Sequence, residues 1–270
     1  MQYLLRAPES IRETITSSPR IYLALDYDGT LARLVPDRGR AFLPRATEEL
    51  LRRLASNTRC VLTIVSGRRL SDITTLVGIE GAYYVGNHGL EIQGPRLRFV
   101  HAGAKAFSRY LPDITRELNE QLRGTRASVE NRGLTLGVHY RKVRHRDMPT
   151  FFSTVKHVLQ DYEMFETIYD KNVVDVRPNL SWDKGSALEV LIQRLGQYPM
   201  VYIGDDRTDE DAFRKLRNAI TILVSQKPKI SAAHYYLRGT RDVVAFLRLL
   251  NSWLETQRGN RTEKNRGFDA

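Results

Sequence analysis

The sequence predicts an α/β protein, a doubly wound parallel sheet into which a second α/β domain is inserted. Short apolar segments rich in β-forming residues alternate with amphipathic helical segments over residues 21–86. The alternation resumes near residue 184, after a block that mixes helices with a hairpin pattern. Because parallel strands need crossover connections, usually helices, the alternation indicates a parallel sheet and the block indicates an insertion.

The first part of the chain supplies the beginning of the sheet. Its strands are apolar runs bounded by turn residues. Pro44 suits the first turn of a helix whose glutamate and arginine side chains lie on a polar face. The elements predicted in order are a helix over 8–18, a strand over 21–26, a helix over 44–55, a strand over 60–65, a helix that opens at Ser66, and a strand over 82–86.

The inserted block has a different pattern. A period-2 stretch over residues 126–140 is interrupted by Asn131, Arg132 and Gly133, which is typical of a hairpin turn. The elements predicted in order are a helix over 104–122, the hairpin, a helix over 148–161, and strands over 166–169 and 172–177.

Strands and helices alternate again after residue 184. The elements predicted in order are a helix over 185–195, strands over 200–203 and 219–224 flanking a helix over 209–216, a short strand near 234–237, and a helix over 241–254. Residues 256–270 lack apolar content and predict a disordered tail. The predicted organisation is a core of residues 1–103 and 184–255, an inserted domain of residues 104–183, and a tail of residues 256–270.

Composition limits the classes of function. A chain of 270 residues with 41% apolar content can bury a large core, and no apolar run approaches the length of a membrane span. The first twenty residues lack the apolar centre of a signal peptide, so we expect a cytoplasmic protein. The single cysteine, Cys60, lies in an apolar run and predicts a small core residue.

The net charge of +11 is compatible with nucleic acid, an anionic surface or a phosphorylated small molecule as the partner. Basic residues are spread along the chain, and no basic surface interleaved with aromatic residues is evident. We therefore expect solvated charge, with no nucleic-acid partner and no membrane partner.

Two carboxylates, Asp26 and Asp28, lie at the carboxyl end of the strand over 21–26, where open α/β sheets bind ligands. Their spacing points both side chains the same way on an extended backbone. Converging negative charges are costly unless a cation neutralises them or one carboxyl holds a proton, and both outcomes suit chemistry on a phosphate. A simple strand-to-turn junction is the alternative for this segment.

A third carboxylate, Asp205, follows the strand over 200–203. The carboxyl ends of parallel strands meet at one edge, so Asp205 can join Asp26 and Asp28 around a hard cation. Acidic residues also favour the first turn of a helix, and this explanation suffices for Glu210 and Asp211.

Ser66 and Lys184 lie at the same predicted edge. Ser66 follows a strand and is either a helix cap or a hydroxyl offered to a phosphate. Lys184 precedes a helix and supplies the positive charge that a phosphate needs, although most surface lysines are merely solvated.

These four segments resemble the motifs of the haloacid dehalogenase phosphatase superfamily: D-x-D-G-T, a serine after the second strand, a lysine, and G-D-D-x-x-D. Longer stretches resemble trehalose-6-phosphate phosphatases over about residues 20–250. They are Leu-Asp-Tyr-Asp-Gly-Thr-Leu, Val-Ser-Gly-Arg, Gly-Asn-His-Gly-Leu-Glu, Val-His-Tyr-Arg, Arg-Pro, Trp-Asp-Lys-Gly and Gly-Asp-Asp-Arg-Thr-Asp-Glu-Asp-Ala-Phe. The resemblance implies a Rossmann-like core with an α/β cap domain, the inserted block.

The resemblance also implies a two-step phosphoryl transfer. Asp26 would be the nucleophile and form an aspartyl-phosphate, and Asp28 would act as general acid and then general base. Mg²⁺ would be held by the Asp26 carboxylate, the Asp28 main-chain carbonyl and Asp205. The other implied roles are phosphate binding by Ser66 and Lys184, and orientation of metal waters or of Lys184 by Asp206 and Asp209.

The implied substrate is trehalose 6-phosphate, whose many hydroxyls need charged donors and acceptors. By resemblance the sugar-binding candidates are Arg68, Asn87, His88 and Glu91 on the core, and Glu130, Arg132, His139, Arg141 and Asp175 on the cap. For the cap group the residues alone favour a solvated hairpin face, with His139 as a half-buried histidine.

Two positions depart from the family pattern, which has Lys where this chain has Arg132 and Glu where it has Asp175. Arginine replaces a point charge with a planar fork, and aspartate is shorter by one methylene. Both departures leave the catalytic step intact, but they leave the identity of the sugar undetermined. The alternatives are another sugar phosphate, such as sucrose phosphate or mannosyl-phosphoglycerate, and a non-catalytic sugar-phosphate sensor. We expect a monomer, with a trehalose-6-phosphate synthase as a candidate partner.

Overall fold

The computed structural model describes residues 1–33, 42–170 and 172–266, with side chains at all of them except 170 and 257–266. The chain divides into two compact units, residues 1–98 with 183–270, and residues 99–182. The sequence places the first boundary at 103/104, where the predicted helix begins. The observed division comes earlier because it falls within an unpredicted strand, Leu97–Val100.

The first unit contains most of the predicted alternation. Its strands are β1 (Gln2–Tyr3), β2 (Ile21–Asp26), β3 (Cys60–Val65), β4 (Tyr83–Gly86), β5 (Glu91–Gly94), β6 (Leu97–Val100, shared with the second unit), β11 (Met200–Gly204), β12 (Ile220–Val224) and β13 (Tyr235–Leu237). Its helices are α1 (Glu9–Ser17), α2 (Arg45–Ser56), α3 (Leu70–Val77), α7 (Lys184–Leu195), α8 (Arg207–Lys215) and α9 (Thr240–Arg266).

The nine strands form one sheet in the order β1-β13-β12-β11-β2-β3-β4-β5-β6. Pairing is parallel from β1 through to β4, which confirms the predicted parallel sheet. All residues of β2 and β3 are buried, as expected for central strands covered on both faces. Asp26 pairs with Val65, so the ends of β2 and β3 coincide at one edge.

Strand β5 pairs antiparallel with β4 and extends the sheet beyond the predicted strands. The sequence did not predict β5 or β6. Both are four residues long and only partly buried, so neither has the apolar run that marks β2.

Helix α3 begins at Leu70, four residues later than the predicted opening at Ser66. Ser66 Oγ instead accepts a hydrogen bond from the Arg68 N–H at 3.1 Å. A serine that bonds the backbone two residues on favours a turn over a helix, and the turn delays the helix.

A large apolar cluster covers one face of the sheet in the first unit. Ile21, Leu23 and Leu25 of β2 pack with apolar residues of β3, α2 and α9. Cys60 is 5% exposed, which confirms the predicted core position, and burial raises the pKa of its thiol to about 12. The thiol is therefore unreactive.

The second unit is a four-stranded antiparallel sheet in the order β7-β8-β10-β9, with helices against it. Its elements are α4 (Ala102–Phe107), α5 (Leu111–Gln121), β7 (Ser128–Asn131), β8 (Leu136–His139), α6 (Met148–Leu159), β9 (Phe165–Asp170) and β10 (Val173–Pro178). The single helix predicted over 104–122 is two helices joined by a 3₁₀ turn. Leu118, Phe151 and Val174 lie in the core of this unit.

Helix α9 continues to Arg266, where the sequence predicts its end near residue 254. Low apolar content led to the prediction of disorder from residue 256, but Gln, Arg, Glu and Lys are good helix formers. Residues 267–270 lie outside the described residues, and the disordered tail stays a prediction. None of the described helices has the length and apolarity that crossing a bilayer would need.

Candidate active site

The site is built on Asp26, the last residue of β2. Asp26 is 3% exposed, and its Oδ1 accepts a hydrogen bond from Lys184 Nζ at 2.8 Å. Oδ2 is buried and has no hydrogen-bond partner among the described residues. Burial raises the pKa of Asp26 well above its ordinary value, Lys184 opposes this, and the charges of Asp209, Asp206 and Asp205 add to it.

Lys184 is the first residue of α7. Asp183 caps this helix in a capping box with Ser186, which fixes where the helix begins. Lys184 Nζ lies 2.8 Å from both Asp26 Oδ1 and Asp209 Oδ1. Burial disfavours its charge, but the surrounding carboxylates of Asp206, Asp209 and Asp26 outweigh burial and raise the pKa well above its ordinary value. Lys184 is therefore a fixed cation at the predicted place.

Asp209, predicted only as a supporting residue, holds Lys184 in place. Its carboxylate accepts hydrogen bonds from Lys184, from the Tyr202 hydroxyl and from the N–H groups of Asp205 and Asp206. Burial and the neighbouring Asp206 raise the pKa of Asp209 to about 6. With four donors, both oxygens of Asp209 are already used.

Asp206 is the N-cap of α8 and forms a capping box with Asp209. Its Oδ1 accepts from the Asp209 N–H and the Thr208 hydroxyl, and lies 3.8 Å from Lys184 Nζ. Burial acts to raise the pKa of Asp206, but Lys184 and these hydrogen bonds lower it. The residue therefore orders the start of α8 and the loop after β11.

A metal ion fits this carboxylate cluster. One oxygen each of Asp26, Asp205 and Asp209 lies within 4.8 Å of the others. Each oxygen of Asp209 already accepts two hydrogen bonds, whereas Asp26 Oδ1 accepts one among the described residues, from Lys184. Gly29, with φ of 97°, brings its backbone so close that a Cβ there would overlap the Asp205 carboxylate. Hard carboxylate oxygens are the donors that Mg²⁺ prefers, and Asp26 and Asp205 are the better-placed pair.

Asp28 is held by Arg68. Arg68 Nε and Nη2 donate to the two oxygens of Asp28 at 2.7 and 2.6 Å, a bidentate pair. The guanidinium also lies over the Tyr27 ring, 5.5 Å from its centroid. The structure thus places Arg68, a predicted sugar-binding residue, against the predicted acid and base.

Ser66 is 1% exposed and follows β3, the strand beside β2. The next residue, Gly67, has no side chain, and a Cβ there would overlap the His88 ring. His88 itself is 8% exposed. Because residue 67 is glycine, the His88 ring fits beside it. Ser66 and His88, both predicted site residues, thus lie at the ends of the neighbouring strands β3 and β4.

The turn after β4 has an unusual backbone. Asn87, His88 and Gly89 all have positive φ, at 48°, 57° and 104°. Asparagine and histidine adopt this left-handed region more readily than most residues, but two in succession are strained, and such strain clusters at functional sites. Asn87 Nδ2 donates to Glu91 Oε2 at 2.7 Å, which joins two predicted sugar-binding residues.

The second unit gathers four of its five predicted residues into one cluster. Arg132 is 2% exposed and donates to Glu130 Oε2 through Nε and Nη2 and to Asp175 Oδ1 through Nη1. His139 Nε2 lies 2.9 Å from the same oxygen of Glu130. Partial burial acts to raise the pKa of Glu130, but the His139 hydrogen bond and Arg132 lower it to about 2. Arg132 is engaged within the unit, which makes it a positioning group for Glu130. Arg141 lies apart in an exposed turn.

Gly137 makes room for this cluster. Its backbone pairs with Glu130 on one side and with Asp175 on the other, so the three residues lie in one row across β7, β8 and β10. A Cβ at Gly137 would overlap Arg132 Nη2. The Arg132 guanidinium occupies the space that a side chain at residue 137 would need, so the glycine is part of the cluster.

Sequence reasoning missed Tyr202 and Thr30. Tyr202 is fully buried in β11 and donates to Asp209, and Thr30 Oγ1 lies 3.4 Å from Asp205 Oδ1. Tyr202 and Gly204 point to the same side of the strand, and a Cβ at Gly204 would overlap Asp209. The sequence signal for this contact is a tyrosine followed two residues later by a glycine in an apolar strand.

The sequence model of the trehalose-phosphatase family matches residues 24–247. The chain belongs to the trehalose-phosphatase family. It is 35% identical over 268 residues to probable trehalose-phosphate phosphatase H of Arabidopsis thaliana, covering 91% of this chain and 76% of that protein. It is 38% identical over 254 residues to trehalose 6-phosphate phosphatase RA3 of Zea mays, covering 86% of this chain and 70% of that protein.

The fold is shared with a solved structure, the C-terminal domain of C. albicans trehalose-6-phosphate phosphatase. The TM-score is 0.79 at 21% identity, covering 93% of this chain and 98% of that chain. The predicted α/β fold and the predicted family are therefore confirmed. Trehalose-phosphatases are phosphoric monoester hydrolases that use a divalent metal, and the buried acidic cluster at Asp26 fits one.

Proposed function

We propose that this protein is a Mg²⁺-dependent phosphatase that hydrolyses trehalose 6-phosphate to trehalose and inorganic phosphate. The observation that supports this most is the state of Asp26. One carboxylate oxygen is fixed by Lys184, and the other is buried without a hydrogen-bond partner among the described residues. A carboxylate held in this way can attack a phosphorus atom with its second oxygen.

In the first step, Asp26 Oδ2 forms a bond to phosphorus while the bond between phosphorus and the sugar oxygen breaks. Asp28 gives a proton to the departing oxygen, which leaves as the sugar hydroxyl. Both Asp28 oxygens accept from Arg68 in this structure, so one of them must exchange Arg68 for the sugar oxygen. Lys184 and Ser66 hold the phosphoryl oxygens and offset their charge.

In the second step, Asp28 takes a proton from a water molecule, whose oxygen attacks phosphorus. The bond between Asp26 and phosphorus breaks, which restores the carboxylate and releases phosphate. Lys184, fixed by Asp209, stays in position through both steps, with Asp206 ordering the loop that carries Asp209.

Mg²⁺ would be held by Asp26, Asp205 and the main-chain carbonyl of Asp28, and would offset the charge of nucleophile and phosphate. The electrostatics around Asp26 explain why a metal ion would be needed. Lys184 contacts the carboxylates of Asp26 and Asp209, but burial and the neighbouring carboxylates outweigh it and raise the pKa of Asp26. A nucleophile must be ionised, so a second cation would favour the reactive form.

Each unit carries candidates for hydrogen bonds to the sugar. On the first unit the candidates are Arg68, Asn87, His88 and Glu91, and on the second unit they are Glu130, His139, Arg141, Asp175 and Arg132. Within the second group we assign contact with hydroxyls to Glu130, His139 and Arg141. The guanidinium of Arg132, 1% exposed, orients Glu130 and Asp175.

The experiment is an assay of phosphate release from a panel of sugar phosphates with Mg²⁺ present, using wild type and Asp26→Asn. We expect trehalose 6-phosphate to be the best substrate, with sucrose phosphate and mannosyl-phosphoglycerate much poorer. Asp26→Asn should lose turnover while its circular dichroism spectrum and melting temperature stay near wild type. If Asp26→Asn kept wild-type turnover, the assignment of Asp26 as the nucleophile would be wrong. If all sugar phosphates of the panel released phosphate at similar rates, the assignment of trehalose 6-phosphate as the substrate would be wrong.

A non-catalytic sensor is the second candidate, and the same assay separates it. A sensor would bind trehalose 6-phosphate without releasing phosphate from any substrate. The intact set of Asp26, Asp28 and Lys184 favours the enzyme, since binding alone needs no second aspartate beside the nucleophile. We further propose that the enzyme works in the cytoplasm as a monomer, with association with a trehalose-6-phosphate synthase as the interaction to test.

A further inference from the structure

Lys215 is the last residue of α8, and its side chain reaches the start of α7. Its Nζ donates a hydrogen bond to Ser186 Oγ at 2.6 Å and lies 3.8 Å from Asp183 Oδ2. The Lys215 side chain is 32% exposed, so most of its surface is covered by neighbouring residues. The proposed mechanism does not use this lysine.

The groups that Lys215 contacts form the capping box at which α7 begins. Asp183 Oδ1 accepts hydrogen bonds from the Ser186 N–H at 2.7 Å and from Ser186 Oγ at 3.0 Å, and the Asp183 N–H donates to Ser186 Oγ at 3.2 Å. A serine hydroxyl has one hydrogen and two lone pairs. Because Lys215 and the Asp183 N–H both donate to Ser186 Oγ, its own hydrogen is directed at Asp183 Oδ1. Lys215 therefore fixes the orientation of the hydroxyl that closes the box.

The capping box supports the backbone of Lys184. Lys184 is the first residue of α7 and lies between Asp183 and Ser186, the two residues of the box. Its Nζ lies 2.8 Å from Asp26 Oδ1, the oxygen of the proposed nucleophile that it fixes. Helix ends fray unless their free N–H groups are satisfied, and fraying would move the backbone from which the Lys184 side chain extends.

Helix α8 thus holds Lys184 at both ends of its side chain. Asp209, in the first turn of α8, accepts a hydrogen bond from Lys184 Nζ at 2.8 Å. Lys215, at the end of the same helix, holds the box beside the Lys184 backbone. The two helices approach closely, since a Cβ at Gly185 would lie 3.2 Å from Lys215 Cβ. The glycine therefore lets α7 lie near enough to α8 for Lys215 to reach the box.

We propose that Lys215 is a positioning residue of the phosphatase reaction, which sets the place of Lys184 through the capping box. The proposal rests on the proposed function, in which Lys184 holds phosphoryl oxygens beside Asp26. Lys215 keeps the start of α7 fixed relative to α8, so the Lys184 ammonium stays aimed at the nucleophile. A misplacement of about 1 Å at an active site can lower a rate about a hundredfold, so a small shift of this helix start is enough to slow the reaction.

Lys215→Met tests the proposal, because methionine keeps much of the length of the side chain and removes the ammonium. We expect kcat for trehalose 6-phosphate to fall about tenfold, the equivalent of one hydrogen bond, with little change in KM because the sugar contacts stay. Lys215→Arg keeps a charged donor of similar reach and should restore most of kcat. The matched control is the neighbouring Arg214→Met, which should keep wild-type kcat. The Arg214 side chain is 63% exposed and, among the described residues, pairs with Asp211 alone.

Ser186→Ala separates this role from a general loss of stability. It removes the hydroxyl through which Lys215 acts, so Lys215→Met should lower kcat much less in the Ser186→Ala background than in wild type. Two independent losses would instead multiply. In hydrogen-exchange mass spectrometry, the amides of residues 184–188 should exchange faster in Lys215→Met than in Arg214→Met.

Three results would overturn the proposal. They are wild-type kcat in Lys215→Met, multiplied losses in the double variant with Ser186→Ala, and equal amide exchange at the start of α7 in Lys215→Met and Arg214→Met. A wild type that releases no phosphate would contradict the proposed function instead. The exchange comparison needs no activity, so it tests the link between Lys215 and the start of α7 by itself.

Discussion

At the scale of single residues, Tyr202 is the group whose role the sequence did not reveal. It is buried beneath Asp209 and donates one of the four hydrogen bonds that hold this carboxylate. Asp209 in turn holds Lys184, the cation beside the proposed nucleophile. Tyr202 is thus a positioning residue that acts on Asp26 through two intermediates.

We therefore expect Tyr202→Phe to lower kcat about tenfold with little change in KM, because Lys184 loses its fixed position while the sugar contacts stay. The unfolding free energy should fall by about 1.5–3 kcal/mol, the value of a hydrogen bond to a charged group. Steady-state kinetics and urea unfolding measure both.

The matched control is Tyr22→Phe. Tyr22 is equally buried in the neighbouring strand, but its hydroxyl donates to the Gly196 carbonyl at 2.6 Å. This variant should lose stability and keep kcat. If both variants kept wild-type kcat, the positioning role of Tyr202 would be wrong.

Ionisation of the Glu130 carboxylate makes the stability of the fold depend on pH. Its pKa is about 2 in the folded chain against an ordinary value of 4.5, so folding favours its ionised form. Its contribution to stability is therefore complete above about pH 5 and is lost as the pH falls toward 2. We expect Glu130→Gln to be less stable than wild type at pH 7, and the difference to shrink steadily in urea unfolding below pH 5. A difference that is constant with pH would contradict the assignment.

At the scale of elements, Gly137 in β8 leaves no room for a side chain, because a Cβ there would overlap the Arg132 guanidinium. The Arg132 guanidinium lies over Gly137, in the row that this residue forms with Glu130 and Asp175, and it is bonded to both carboxylates. The sequence predicted the hairpin and its charged residues, but not this row. The register of the strands brings Glu130, Gly137 and Asp175 into line. That register depends on the pairing of β8 with β10, which is distant in sequence.

We expect Gly137→Ala to lower the unfolding free energy by about 1–3 kcal/mol, the usual cost of overpacking. It should also raise KM for the sugar phosphate at unchanged kcat, because Arg132 no longer orients Glu130. Gly239→Ala is the control, since nothing lies within 4 Å of a Cβ there. An unchanged KM in Gly137→Ala would argue against a sugar-binding role for this cluster.

The elements that the sequence predicted best are the buried ones. Strands β2 and β3 occupy the predicted residues, because an apolar run between turn signals specifies a central strand by itself. Strands β5 and β6 were missed because four partly exposed residues carry no comparable signal. The start of α3 was misplaced because Ser66 makes a turn, a choice that depends on what surrounds it.

At the scale of the whole molecule, a sheet edge brings together residues that lie far apart in the chain. Asp26, Lys184 and Asp209 meet there although 158 residues separate the first two. This convergence was predictable, since parallel strands end at a common edge. The pairing of Asp28 with Arg68 was not predictable, because side-chain partners follow from geometry that the motif does not specify.

Metal dependence is also a property of the whole molecule. A ligand that binds only the folded chain raises its stability, so Mg²⁺ should raise the melting temperature of wild type in proportion to the logarithm of its concentration. Asp205→Asn should show little of this rise, because it removes a carboxylate from the cluster. Chelation should stop activity in wild type, and added Mg²⁺ should restore it. A melting temperature that ignores Mg²⁺ would contradict the proposed site.

In the proposed mechanism Asp26 forms a covalent bond to phosphorus. The most direct measurement is to mix the enzyme with trehalose 6-phosphate, quench within one turnover, reduce with borohydride and sequence the peptides by mass spectrometry. An aspartyl-phosphate is reduced to homoserine, so we expect homoserine at residue 26 and at no other aspartate. Homoserine at a different residue, or none while phosphate is released, would contradict it.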